Sequence, residues 1–323
     1  MTLKKLKSGD VRMKVYTDGQ FDKKGGCVLA LGSFDALHFA HIKLFCETVD
    51  KAKEYGVRAG VHLFDRRIEN VIFPGSDHKS VYKNSKRAEI ISETGMDFVY
   101  FEKFDKAFME MSAFDFAKML KDKFGAVCVV TGFHYSFGYM GSGGIDELKK
   151  FGRQLGFEVI SVAPIMLDGE LVSSTRVREC IKSGNIFEVN RLLGREYALC
   201  GKIISDRGVG SSMGMPTANT EISSDILLPK NGVYAAYVKI NGRLYPAVTN
   251  IGIRPTFGLD KISVETHIID FDGDLYGTEM EIRFLDRLRD EKKFTTKEDL
   301  LKQILSDINK TKQIFSAVLI KKE

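Results

Sequence analysis

The amino-acid sequence predicts two units of different build. An α/β unit with a parallel sheet comes first, and an all-β unit follows, folded as an antiparallel barrel or sandwich under a covering helix. Three observations predict this. In the first half, apolar runs of strand length alternate with stretches of helical period, the pattern of strand–helix–strand crossovers. After Tyr197 the helical periods thin out, and strand-like runs succeed one another across turn residues. Asn241-Gly242 separates two of these runs, and it is the residue pair that a two-residue hairpin loop prefers. The divisions placed on this basis are an α/β domain over residues 1–185, a connecting helix over 186–196 and a barrel domain over 197–323.

Each element has its own signal. Residues 1–26 are polar and glycine-bearing, suited to an edge hairpin or a lead-in. Val28 to Leu31 form a buried strand, and a polar turn follows from Gly32 to Phe39. A helix starts near His41, with Ile42, Phe45, Val49 and Ala52 on one face and Gly56 as its stop. Arg58 to Phe64 make the next strand. Residues 65–85 show no period and carry Pro74, which reads as a long functional loop. Lys86 to Glu93 are helical, and Asp97 to Phe101 are extended. Ser112 caps a helix with Asp115 as reciprocal partner, and Ala113, Ala117, Leu120 and Phe124 line its face. Ala126 to Val130 form a strand. A helix through Leu148, Phe151 and Leu155 leads to the strand Phe157 to Val162. Ser173 or Ser174 caps a short helix that ends near Gly184. Ile186, Val189 and Leu193 mark the connecting helix, which stops at Gly194. The later strands are Tyr197–Ile204, Gly232–Ile240, Arg243–Ile251, Ile262–Ile269 and Glu279–Leu285, with a further turn at Asp272-Gly273. Thr295 and Glu298 predict a capping box for a covering helix with Leu301, Ile304, Leu305 and Ile308. Residues 311–323 either extend that helix or return as a strand.

Composition narrows the function classes. The 323 residues suffice for two domains, and 44% hydrophobic with 28% charged residues is globular. No apolar run is long enough to span a bilayer, and no apolar core follows the basic N-terminus as a signal sequence requires. The net charge of +5, without a basic tail or an aromatic RNA-binding motif, does not indicate nucleic acid. Cys27, Cys46, Cys128, Cys180 and Cys200 are scattered, with no CxxC pair and no metal-site spacing. They read as buried thiols of a reducing compartment. A cytoplasmic protein with small-molecule ligands and no specific protein partner is expected.

Four constellations carry chemistry. Gly32-Ser33-Phe34-Asp35 with His38 and His41 lies between a strand and a helix, where backbone N–H groups and two imidazoles suit phosphate. At a nucleotidyl-transfer centre these would stabilise charge on an α-phosphate and a leaving pyrophosphate. An ordinary βα turn fits the same residues. Ser173, Ser174, Thr175, Arg176 and Arg178 combine hydroxyls and guanidinium groups at a helix start, again suited to phosphate, or to a plain capped helix. Residues 208–219 (GVGSSMGMPTAN) form a glycine-rich flap that ends at Thr217 and Asn219, hard oxygen ligands for Mg²⁺, although a barrel corner reads the same. Glu265 stands in an alternating strand, opposite in facing to Val264, as a general base or as a solvent-facing carboxylate. His267 reads as a supporting residue rather than a metal ligand. The run Arg289 to Phe294 reads as a solvated face from which Arg289 can reach a ligand.

The order of these motifs resembles the bacterial bifunctional riboflavin kinase/FMN adenylyltransferase (FAD synthetase) family over nearly the whole chain. The resemblance rests on LGSFDALHFAH, TGFHYSFG and SSTRVR in the first unit. In the second it rests on GMPTAN, GVYAAYV, NIGIRPTFG, VETHIIDFDGDLYG and RFLDRLRDEKKF. It implies a Rossmann-like nucleotidyltransferase domain and a riboflavin-kinase β-barrel. It implies ATP and Mg²⁺ as requirements, with riboflavin, FMN and FAD as substrates or products. It places Gly32, Ser33, Phe34, Asp35, His38, His41, Gly132, His134, Ser173, Ser174, Thr175, Arg176 and Arg178 in the first nucleotide site. Gly210, Gly214, Thr217 and Asn219 belong to the second, with Thr217 and Asn219 on the metal. Phe133, Tyr135, Glu265 and Arg289 are the flavin contacts, and Glu265, His38, His41 and Arg176 carry the catalysis. Ala36, Ala40, His134, Ser136, Arg67-Ile68 and Ser211 depart from the family pattern. The first four and the Arg67-Ile68 pair bear on adenylyl transfer, and Ser211 bears on the flap. A kinase with a degenerate first module, or a flavin-binding regulatory protein, are the alternatives.

Overall fold

The computed structural model describes residues 13–17, 21–23, 25–204, 215–256 and 259–320. The chain divides into two compact units, Met1–Ser174 and Thr175–Glu323. Gly210, Ser211 and Gly214 lie outside the described residues.

The first unit is built on six parallel strands. They are β1 (Lys14–Thr17), β2 (Cys27–Leu31), β3 (Arg58–Phe64), β4 (Phe98–Glu102), β5 (Ala126–Gly132) and β6 (Glu158–Val162), in the order β1-β4-β3-β2-β5-β6. Every neighbouring pair is parallel. A strand buried on both faces needs apolar residues throughout, and all five residues of β2 are fully enclosed. A two-stranded hairpin, β7 (Met166–Leu167) and β8 (Glu170–Leu171), was not legible, since two residues per strand leave no period.

The helices of this unit are α1 (Phe39–Tyr55), α2 (Glu69–Ile72), α3 (Asn84–Ser92), α4 (Lys106–Met109), α5 (Ala113–Asp122) and α6 (Ile145–Leu155). α1 buries Phe45, Val49 and Ala52 as its spacing requires, and Gly56 closes it in the left-handed region (φ 65°). The Ser112 hydroxyl accepts the Asp115 N–H at 3.0 Å, which is the expected cap of α5. The long loop is shorter than its sequence suggested, because α2 and the first two residues of α3 fall inside residues 65–85. One face of the sheet packs Leu29, Leu31 and Tyr100 against Phe116, Leu120 and Leu148 of α5 and α6.

In the second unit α7 (Ser174–Ser183), which starts at the division, and α8 (Ile186–Leu193) lead into a closed barrel. Its strands are β9 (Tyr197–Ile204), β10 (Ala218–Glu221), β11 (Gly232–Ile240), β12 (Arg243–Thr256), β13 (Leu259–Ile268) and β14 (Glu279–Arg289), ordered β10-β13-β12-β11-β14-β9. β10, which the sequence reading had as flap and turn, pairs with both β13 and β9 and so closes the ring. Asn241 and Gly242 turn the β11–β12 hairpin with φ of 48° and 82°. Tyr197, Tyr234 and Phe284 fill the interior.

α9 (Lys297–Ile320) lies over β11, β12 and β14 and seats Phe315 against Tyr237. Its cap is one residue later than expected. The Thr296 hydroxyl, not that of Thr295, accepts the Asp299 N–H at 3.1 Å. Residues 311–320 extend the helix rather than returning as a strand, since Thr311 and Phe315 continue its buried face.

Candidate active sites

In the first unit the strand order reverses between β2 and β5. Ligands of open parallel sheets gather at such a reversal, beyond the carboxyl ends of the strands. Leu31 pairs with Thr131 there, so the turn Gly32–His38 and the turn Gly132–Tyr135 leave the sheet side by side. The parallel sheet thus joins two motifs about a hundred residues apart in sequence.

The first turn is held in an unusual backbone. Phe34 and Leu37 have φ of 46° and 48°, a region that costs non-glycine residues energy and is kept where the surroundings over-determine it. The two alanine departures take no part in this strain, since neither Ala36 nor Ala40 has a positive φ. Gly32 serves packing here, because a Cβ on it would come within 2.8 Å of the Phe34 ring. His38 is the N-cap of α1, and its Nδ1 accepts the His41 N–H at 3.4 Å. The two imidazoles stack with centroids 3.6 Å apart, and Phe34 meets His41 edge-on at 5.0 Å. A pair of rings at the start of a helix, beside its positive end, is an arrangement suited to phosphate oxygens.

Charged residues outside the motifs fasten this turn. Arg67 donates from Nη1 to Asp35 Oδ2 at 2.8 Å and also pairs with Glu69, while the Val81 N–H reaches Asp35 Oδ1 at 3.0 Å. Arg87, buried in α3, donates to the carbonyls of Ser33 and Phe64 at 2.5 and 2.9 Å and so ties the ends of β2 and β3 together. Burial lowers the Arg87 guanidinium to about 10, against the opposing pull of Asp35, which leaves it cationic at neutral pH. Ser33, Asp35, Arg67, Ser80 and Arg87 line part of a cavity of about 270 Å³. A larger hollow of about 710 Å³ beside β1 and β4 includes none of the motif residues.

On the second turn Phe133 and His134 lie ring to ring at 3.8 Å, and His134 is exposed. Tyr135 stacks on Phe137 at 5.9 Å and packs against the sheet's core. α7 begins at Ser174, with Ser173 just before it and Thr175, Arg176 and Arg178 in its first turns. Arg176 donates to Glu188 of α8 at 2.6 Å, an ion pair mostly shielded from solvent.

The barrel brings a second set together. Val264 and Thr266 are buried, and the Thr266 hydroxyl lies 3.1 Å from that of Thr249 inside the ring. Alternation therefore turns Glu265 to the outer face. Asn219 of β10 and Asn250 of β12 are its direct register partners on either side. Directly opposed residues share a face with Cβ atoms about 5 Å apart. Thr217, two residues before Asn219, shares that face in an extended chain. The Ser263 hydroxyl donates to Glu265 Oε1 at 3.2 Å, and Asn250 Nδ2 donates to Glu291 at 3.4 Å. A Cβ on Gly252 would press on Glu291 Oε1 at 2.1 Å, so Gly252 keeps room for that carboxylate.

The Thr217 hydroxyl and the Asn219 amide carbonyl are hard oxygen donors of the kind Mg²⁺ prefers, so they fit that ion. Among the described residues no cluster of three or more His, Cys, Asp or Glu is placed to hold a metal. A cation here would therefore lean on neutral oxygens and on substrate phosphates.

Arg289 is not on a solvated face. Its Nε and Nη2 reach Asp307 Oδ2 of α9, each at 2.9 Å, and Asp307 is buried. The sequence reading missed this because Asp307 sits on a helix eighteen residues away. Asn250 and Arg87 were missed for a like reason, since strand register and helix placement gather them; Ser263, two residues from Glu265 on one strand, was within reach of the alternation pattern.

A parallel sheet with a strained, imidazole-bearing turn at its reversal point, followed by a closed barrel with an acid–amide row, defines a two-unit transferase of the nucleotide-using class. Residues 20–176 match the family model described as FAD synthetase, and residues 193–315 match the one described as riboflavin kinase. The chain belongs to the bacterial bifunctional riboflavin kinase/FMN adenylyltransferase family. A relative of that description from Listeria monocytogenes is 33% identical over 294 residues, 90% of this chain and 92% of the relative. One from Buchnera aphidicola is 33% identical over 285 residues, 87% and 91% of the two chains. A solved structure described as a macrolide-efflux protein from Streptococcus pneumoniae superposes with a TM-score of 0.87 at 27% identity, over 93% of this chain and 99% of that one. Among the described residues, no helix of this chain is long and apolar enough to cross a membrane.

Proposed function

We propose that this chain is a bifunctional enzyme that phosphorylates riboflavin to FMN at the barrel and adenylylates FMN to FAD at the parallel sheet, with ATP as donor in both steps and cytoplasmic in location. The observation that carries the kinase half is the register of Asn219, Glu265 and Asn250 on one rigid face. A base on a strand between paired neighbours has its position set before substrate arrives.

Glu265 takes the proton of the ribityl hydroxyl, and the freed oxygen attacks the γ-phosphate. ADP leaves and FMN remains. Ser263 steadies the Glu265 carboxylate through its hydrogen bond. Thr217 and Asn219 present the oxygens for Mg²⁺, which when bound neutralises charge on the phosphates. Gly210 and Gly214 are assigned to the same nucleotide's flap.

In the other half, the FMN phosphate attacks the α-phosphate of ATP, and pyrophosphate leaves. His38 and His41 donate to the oxygens where charge gathers, and Gly32–Asp35 approach the nucleotide through their backbone. Ser173, Ser174, Thr175, Arg176 and Arg178 receive the triphosphate, with Arg176 exchanging Glu188 for it. Gly132 and His134 complete the nucleotide pocket, and Phe133 and Tyr135 supply ring surface to the flavin. Positioning and fixed charge supply the rate, without a covalent enzyme intermediate.

The test is direct. The purified full chain is given riboflavin, ATP and Mg²⁺, and separately FMN, ATP and Mg²⁺, and the flavins are separated. FMN and then FAD in the first reaction, with FAD in the second, support both halves. FMN as the sole product, together with an inert second reaction, refutes the adenylyl-transfer half. No product in either reaction refutes the enzyme reading.

A further inference from the structure

His267 stands two residues beyond Glu265 on β13, so both side chains leave the same outer face of the barrel. Its ring Nδ1 lies 3.0 Å from the carbonyl oxygen of Pro216. A carbonyl can only accept, so Nδ1 carries the proton and donates.

The location of this bond gives it meaning. The β10–β13 ladder runs from Asn219 opposite Glu265 to Ala218 opposite Thr266, and there it ends. Continuing the register one step would set Thr217 opposite His267, but Thr217 lies outside the strand. Pro216 has no N–H to offer a ladder. The backbone therefore stops holding this segment one residue short of Thr217. The imidazole takes over at that point and ties the next carbonyl to the strand that carries Glu265. Ser263, two residues to the other side, donates to the Glu265 carboxylate itself. The outer face of β13 thus carries three residues in a row: one orients the carboxylate, the second is the carboxylate, and the third fastens the segment opposite.

The geometry points to His267 as a positioning residue of the barrel's phosphoryl-transfer centre. By donating from Nδ1 to Pro216, it holds Thr217 in line with Asn219 and facing Glu265. The inference rests on the assignment of Thr217, Asn219 and Glu265 to the kinase reaction. His267 itself touches neither substrate nor metal in this role.

Two variants separate the hydrogen bond from the ring. His267→Phe keeps an aromatic ring and removes the donor. His267→Asn places an amide N–H close to where Nδ1 stands. In the full chain without nucleotide, His267→Phe should speed amide hydrogen exchange at Ala218 and Asn219, the first residues of the β10 ladder, by about tenfold, the scale of one partly exposed hydrogen bond. His267→Asn should return it to near the wild-type rate. In turnover, His267→Phe should raise the Mg²⁺ concentration for half-maximal FMN formation by a similar factor. His267→Asn should recover it, and neither variant should alter FMN-to-FAD conversion.

Wild-type exchange at Ala218 and Asn219 in His267→Phe overturns the inference. So does equal impairment of the Phe and Asn variants, which would make the ring and not the donor the important part. If the wild-type chain forms no FMN, the kinase assignment fails by itself, and the exchange measurement still decides whether His267 holds the segment.

Discussion

Replacing Asp307 by Asn tests how firmly α9 is anchored to the barrel. Asp307 is 2% exposed and accepts hydrogen bonds from Arg289 Nε and Gln303 Nε2, each at 2.9 Å, while Arg289 Nη2 completes the ion pair at 2.9 Å. Asparagine keeps the volume but removes the counter-charge and presents an N–H₂ group to donors. Breaking a buried ion pair from one side costs about 3–5 kcal/mol. Arg289 retains the Asp290 carbonyl at 3.0 Å and the Phe294 ring at 5.9 Å, and its side chain is 15% exposed. The loss should therefore fall at the lower end, about 3 kcal/mol. For a unit of this size that lowers the transition by about 6–12 °C. Calorimetry of the full chain should show the transition of the barrel unit falling by that amount, while that of the parallel-sheet unit stays in place. Replacing both partners together, Arg289→Met with Asp307→Leu, should recover most of the loss, because the uncompensated charge is then gone. A shift below about 2 °C for Asp307→Asn would place the pair among weak surface contacts and refute the reasoning.

Three further outcomes follow from the sites. Glu265→Gln should cut FMN formation by about 10²–10⁴-fold while leaving flavin binding and FMN-to-FAD conversion intact, and unchanged turnover would remove Glu265 from the role of base. His41→Ala should lower FMN-to-FAD conversion by about 10²–10³-fold and leave riboflavin phosphorylation unaltered, so equal loss in both assays would point to misfolding. Glu102 supplies the pH dependence: burial pushes its carboxyl up, but hydrogen bonds from His62 and Lys123 outweigh burial and hold it below its ordinary range. A depressed carboxyl contributes stability above its unfolded value, about 4.3, and loses it as pH falls through the folded value. Urea titrations of Glu102→Gln should thus show a shallower fall in stability below about pH 4.3 than the wild type, and an identical acid limb would refute the link.

Much of the fold was legible because local periods carried it. The α1 stripe, the Gly56 and Gly194 stops, the Ser112 cap and the Asn241-Gly242 hairpin each depend on neighbours within a few residues. β10 was not legible. Its four residues, Ala-Asn-Thr-Glu, have no apolar alternation, and it is a strand because β9 and β13 offer it two ladders. The capping box slipped by one residue because Thr295 and Thr296 both have a carboxylate three positions on, and only the helix's docking chooses between them.

The sequence by itself determined the alternation of elements and the residue types of both sites: the two histidines after a strand, the hydroxyls before two arginines, and the Thr–Asn pair and the strand glutamate. These are short-range properties of the chain, set by backbone preference and side-chain chemistry. Only the tertiary structure decided which groups meet. The reversal of strand order set the Gly32 turn beside the Gly132 turn, and barrel closure set Asn219 across from Glu265 and His267 against Pro216. It also withdrew Arg289 into a pair with Asp307. The physical reason is that register and closure are settled by burial summed over the whole sheet, and no segment encodes that sum alone.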